Sequence, residues 1–251
     1  NFAPVPGGLK LAGLFAVVTV VAALLFVRRQ RGATNPLYDL DVAMRRIFWV
    51  AAVAGIIVFG TLMGTMYISQ QFLQNVLAYS TLASGASVIP MSVAMVAVAG
   101  LSAKLVVSRG SRFTLLSGYV FFLLGFIVML LLWKQQTSYA GVALAYVLIG
   151  LGVGFAGTPA SHALTASVPV HRAGMASATA DLQRDLGGAV MQSILGVLLT
   201  LGYAGAMASA VAASPESAQV TDQVATQLQK SFAGAEAVAE QYPAYASAIE
   251  Q

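Results

Sequence analysis

The sequence has no cysteine and very little charge. Without cysteine there is no disulfide, no thiolate chemistry and no Cys-ligated zinc, and the compartment stays open. Charged residues make up 9% of the chain, with nine acids spread along it and only two histidines, His162 and His171. No HExxH motif joins them, so little is available for a metal centre. A membrane-embedded enzyme would need a nucleophile–base or metal constellation, and two loop histidines without nearby acids do not supply one. The chain starts at Asn1, with neither an initiating Met nor a charged n-region ahead of a cleavage site. It reads as an internal piece of something longer, without a signal peptide.

What is present is apolar. Hydrophobic residues reach 58% and the mean hydropathy is +0.80, far from soluble averages. They fall in runs of bilayer-spanning length, which makes this an integral membrane chain.

The runs can be taken in order. Leu9 to Val27 is a first span, with Lys10 at its end free to snorkel, and it stops at the basic cluster Arg28, Arg29, Arg31. Gly32 to Arg46 reads as a cytoplasmic loop with a short interfacial helix. Ile47 to Ala103 carries no formal charge. As helix it would be roughly 85 Å long against a ~30 Å hydrocarbon core, so it must hold two spans. The break belongs near Asn75–Thr81, and Pro90 should kink the second of the two. Phe113 to Trp133 and Ala140 to Ala160 are the fourth and fifth spans, and the sixth includes Gly174 to Gly202. Residues 1–206 thus form a six-helix transmembrane region. Residues 207–251 read as an extracytoplasmic, Ala-rich polar loop, with an amphipathic helix marked by Val220, Val224, Leu228 and Phe232.

The pI near 9.5 is explained by where the basic residues lie. Ten of the thirteen fall on one side: Arg28, Arg29, Arg31, Arg45, Arg46, Lys104, Arg109, Arg112, Arg172 and Arg184. Lys10, Lys134 and Lys230 fall on the other. That is the positive-inside bias rather than a nucleic-acid footprint, and it sets the N-terminus and the C-terminal loop outside.

Four motifs bear on function. Gly152, Gly154 and Gly157 satisfy GxGxxG, but inside a span the pattern belongs to helix packing, as do the GxxxG pairs Gly150/Gly154 and Gly60/Gly64. Gln70, Gln71, Gln74 and Asn75 close the second span; they either line a cavity or sit at the water interface beside the turn. Thr158, Pro159, Ser161 and His162 read as the end of the fifth span, with a pH-sensing His162 as the minor alternative. The fourth motif is Asp181-Leu-Gln-Arg-Asp185. At about 100° per residue Gly174, Ser177, Asp181, Asp185, Gly188, Gln192 and Gly196 share one stripe. Leu182, Leu186, Val190, Ile194, Val197 and Leu201 take the other side. A small, polar face with two acids is the pattern of a helix lining an aqueous pathway. Alternatively the span begins at Leu186, and both acids stay in the interface with Arg184 as a surface partner of Asp181.

These residues carry a resemblance. Gln71 to Gly85 followed by Ile89-Pro90 is similar to the "lQ.vlGys.l.aG…P" pattern of the fourteen-helix drug:proton antiporters (EmrB/QacA-type) of the major facilitator superfamily, departing at Ala78, where that group usually has Gly. Arg109-Gly110-Ser-Arg112 resembles the degenerate inner-loop motif of their C-terminal half, without a preceding acid. Ala173-Gly174-Met-Ala-Ser-Ala with Leu186-Gly187 is similar to their penultimate helix, whose two acids in the QacA-like branch match Asp181 and Asp185. The resemblance implies an all-α polytopic membrane protein with a major-facilitator-type helical bundle. Its six spans would be helices 8 to 13 of fourteen, and the N-terminal bundle and last helix would be missing partners. It further implies multidrug efflux from the cell membrane, with small lipophilic cations and protons as the bound species. The energy source would be the proton gradient, with no cofactor. Asp181, Asp185 and Gln192 would form the substrate and proton site, with Gln70, Gln71 and Gln74 as possible cavity lining. An importer or lipid flippase of the same superfamily is the alternative.

Overall fold

The computed structural model describes residues 8–34 and 36–213, and every regular element among them is helical. The chain runs α1 (Gly8–Gly32), α2 (Leu40–Ala43), α3 (Arg46–Asn75), α4 (Thr81–Ala86), α5 (Ile89–Arg109), α6 (Ser111–Leu132), α7 (Tyr139–Ala166), a 3₁₀ turn at Val170–Arg172, and α8 (Ala173–Ala213). Among the described residues, six helical segments are long and apolar enough to cross a membrane. The Val220–Phe232 stripe lies outside the described residues.

Local chemistry sets the boundaries. The uncharged stretch breaks at Val76–Ser80, where Ala78 takes φ +53° and the Ser80 side chain caps α4 by accepting from the Ala83 N–H at 3.2 Å. The expected kink at Pro90 is a full interruption: α4 stops at Ala86, and Pro90 sits in the first turn of α5, where its missing N–H costs no hydrogen bond. Gly110, at φ +87°, makes the tight turn into α6.

Pro159 corrects the sequence reading. It lies inside α7, which continues to Ala166. Proline cannot donate to the carbonyl four residues back, which leaves the Phe155 oxygen without its helical partner. The buried Ser102 hydroxyl of α5 donates to that oxygen at 3.2 Å. A donor on another helix therefore carries the span through a residue that usually ends one.

Packing is organised around α7, which meets α3, α5, α6 and α8. Val142, Tyr146, Ile149, Val153 and Ala156 form the core with Val58, Leu73, Met91 and Phe122. Glycines allow the approach. A Cβ at Gly150 would overlap the Met91 carbonyl of α5, and one at Gly118 of α6 would come within 2.6 Å of the Ala156 Cβ. Close backbone contact replaces the hydrophobic drive that lipid cannot supply. In contrast, no residue in the apolar stretch of α1 is buried among the described residues.

Candidate functional site

The acids stand on α8, whose position is set by its opposite face. Met175, Ala176, Thr179, Gln183 and Gly187 are buried there, and α3 meets this face with its own glycines. A Cβ at Gly55 would strike the Gln183 amide, one at Gly60 would meet Met191 and the Gly187 carbonyl, and one at Gly64 would meet Leu195. Numbers rise together along both helices, so α3 and α8 run parallel, as two spans entering from the same side must.

Gln183 is the residue that inspection of the sequence missed. It is 1% exposed and donates from Nε2 to the Ala51 carbonyl of α3 at 3.1 Å, while its Oε1 is buried without a partner. It lies about 200° round the helix from Asp181, so a search along the acidic stripe passes it by. The available signal was the i,i+4 series Thr179, Gln183, Gly187, Met191, small or polar at three of four positions.

This contact fixes the level of the acids relative to the charge that opens α3. Arg46 opens α3 and is the last charge before the uncharged stretch. Gly55, opposite Gln183, stands nine residues further on, or roughly 13 Å along the axis. Asp181 and Asp185 flank Gln183 by two residues on either side and are both exposed. Leu182, Leu186, Val190, Ile194, Val197 and Leu201 are also exposed. The acids and this apolar row are thus left uncovered, whereas Gly188 of the acidic stripe is buried, so burial along α8 follows neither face distinguished in the sequence.

The electrostatics around the pair are sparse. Asp181 and Arg184 form an ion pair at 3.7 Å with side chains 68% and 52% exposed, so it contributes little to stability in water. The Arg184 guanidinium also lies 5.3 Å from the centre of the Phe59 ring on α3. Asp185 has no ion-pair partner among the described residues. Gln192 is exposed on the same helix, roughly 10 Å beyond Asp185. Gly188 and Gly196, placed on the acidic stripe from the sequence, face Met63 and Tyr67 of α3.

The amides of α3 form a separate group. Gln70 is tied to α4: it accepts from the Ser84 hydroxyl at 2.6 Å and donates to the Ser84 carbonyl at 3.3 Å. Gln74 donates to Gln70 at 3.4 Å, and Asn75 donates to Gln71 at 2.8 Å. Gln70 is fifteen residues from Gly55, roughly 22 Å along α3, so these amides and the acids are not one site. Near them, an open apolar recess of about 840 Å³ lies between α4, α5 and α7, with Tyr79, Pro90, Val93 and Tyr139 among its walls. None of the site residues expected from the sequence lines it. The inner-loop motif is a turn: Arg109 ends α5 with its guanidinium 5.1 Å from the Phe113 ring centre, Gly110 supplies the positive φ, and Arg112 is exposed.

Residues 9–192 match the family model described as Major Facilitator Superfamily. The chain is 31% identical, over 94% of its length, to the multidrug efflux pump LfrA of Mycolicibacterium smegmatis, of which it covers 46%. It is 32% identical over 71% of its length to the multidrug resistance protein Stp of Mycobacterium tuberculosis, covering 33% of that protein. It is 25% identical over 73% of its length to the quinolone resistance protein NorB of Staphylococcus aureus, covering 40%. The chain therefore spans half or less of the length of these relatives.

Proposed function

Because the chain belongs to the major facilitator superfamily, we propose that it forms part of a proton-coupled multidrug efflux antiporter. In this reading it exports lipophilic cations across the cytoplasmic membrane by alternating access, with the site facing a second helical bundle. Relatives named for multidrug efflux and drug resistance support the substrate class. The observation that carries the role of the acids is the register of α8 on α3. It sets Asp181 and Asp185 level with Gly55, well beyond Arg46, on a face left exposed among the described residues. Ionisable groups at that level in a spanning helix are costly to keep and are functional by default.

The chemistry is simple. Two carboxylates attract a cation, protonation removes that attraction and releases it, and deprotonation restores the site. Moving one charge across the membrane yields ~2.3 kcal/mol per 100 mV, enough to bias such a cycle. Asp181→Asn and Asp185→Asn in the full transporter should each lower efflux of cationic drugs by about tenfold or more, the size expected for one charge-assisted contact. Uptake of a fluorescent dication by energised vesicles measures this. Wild-type rates in both variants would make the carboxylates structural.

A further inference from the structure

The contacts around Arg172 and Asp39 belong to neither the acid pair nor the helix core. Asp39 lies in the connection after α1, Arg172 in the turn before α8, and their side chains, only 24% and 19% exposed, approach to 3.7 Å. The two carboxylate oxygens have separate tasks. Oδ1 caps α2, accepting from the Asp41 and Val42 N–H groups at 3.1 and 3.2 Å, while Oδ2 faces the guanidinium. Arg172 also donates to the Pro36 carbonyl. The Asp39 N–H points at the Met175 sulfur, 3.2 Å away.

Tyr38 extends the same set in both directions. Its hydroxyl and that of Thr179 are hydrogen bonded at 3.3 Å, its N–H donates to Gln30 of α1 at 3.2 Å, and its ring meets the Phe26 ring edge-on at 6.0 Å. Beneath lies an apolar cluster of Val42, Phe48, Ala51, Leu164 and Met175. Since no residue in the apolar stretch of α1 is buried among the described residues, this joint is where they fasten it. Thr179 is two residues from Asp181.

We propose that Pro36–Asp39 and Arg172 form a positioning clasp that ties the end of α1 to the first two turns of α8 and so sets where Asp181 stands. Gln183 pins α8 to α3, and one turn earlier on the same face Thr179 joins it to the clasp. Neither Arg172 nor Asp39 touches the cation. Both act through the helix, and their functional effect rests on the antiporter reading above.

The full transporter carrying Arg172→Glu, Asp39→Arg or both together tests the clasp. Each single reversal should raise the KM for a cationic dye about fivefold at unchanged membrane level, and the exchanged pair should recover part of that rise, since it restores the ion pair but not the α2 cap or the Pro36 contact. Arg172→Lys keeps the charge but loses the fork that serves Pro36 and Asp39 together, and it covers the case where a reversal fails to fold. Spin labels on Arg31→Cys and Ser177→Cys read the joint without transport: one narrow distance with the clasp intact, a broadened one with Arg172 changed. An unchanged distance overturns the clasp, as do single reversals with wild-type KM or an exchanged pair as impaired as either single. If the wild type pumps no cation yet the distance broadens, the clasp stands and the antiporter reading falls.

Discussion

Ala78 shows what one residue can reveal. It is the one non-glycine among the described residues with positive φ, +53°, and it turns the chain so that the Tyr79 N–H returns to the Leu73 carbonyl at 2.9 Å. A side chain there costs ~1–2 kcal/mol of steric strain. Ala78→Gly relieves that strain but loses more backbone entropy on folding, for a net gain of up to about 1 kcal/mol. The thermal midpoint of the purified protein should rise by a few degrees, whereas a fall would show that the side chain contributes more by contact than it costs in strain. The departure from glycine was legible in the sequence as a departure, and its conformation follows from it. Gln183 was legible only as one member of a small or polar i,i+4 series, not as a contact. Its value depends on a carbonyl of α3 and on the space left by Gly55, and no pattern within α8 reports either. The clasp is hidden for the same reason, since Tyr38 and Thr179 become neighbours only when the connection after α1 meets the first turns of α8.

At the scale of the helix, α7 separates what periodicity can show from what it cannot. The GxGxxG in this span was read as packing, and two of its three glycines bear that out. A Cβ at Gly152 would lie 2.9 Å from the Phe122 ring, and one at Gly154 would overlap Val98, while Gly157 has nothing within 4 Å. Gly150→Ala should therefore destabilise by about 1–3 kcal/mol, since the obstacle is the Met91 backbone, which cannot rotate away. Gly157→Ala should be neutral or stabilise by about 0.5–1 kcal/mol through helix propensity alone. Denaturation of the two variants in the same detergent checks the contrast, and equal effects would mean that α5 and α7 do not meet as described. The end of α7 was misread because the sequence gives the break at Pro159 but not its remedy. Ser102 sits on α5, and only the fold brings its hydroxyl to the Phe155 carbonyl.

For the whole molecule, the six spans were legible because apolar run length and basic punctuation are each strong signals in lipid. The isolation of α1 was not, since a helix apolar all round does not say what covers it. Relative orientation can be read from packing. α3 and α8 are parallel, as are α5 and α7, where a Cβ at Gly150 meets Met91 and one at Gly154 meets Met95. The starts of α3, α6 and α8 therefore share a side with the end of α5, and Arg46, Arg109, Arg112 and Arg172 all lie there. Lys134 and Gln135, in the turn between α6 and α7, lie on the opposite side. Which side faces the cytoplasm is an expectation from charge, and it can be tested directly because this chain supplies no thiol of its own. In intact cells, a membrane-impermeant maleimide should label Gln135→Cys, exposed in the α6–α7 turn, and should label Ser108→Cys, exposed near the end of α5, only after the cells are opened. The reverse pattern would invert the topology, turn the mouth nearest Asp181 and Asp185 outward, and require the proposed pump to take up its cation from outside.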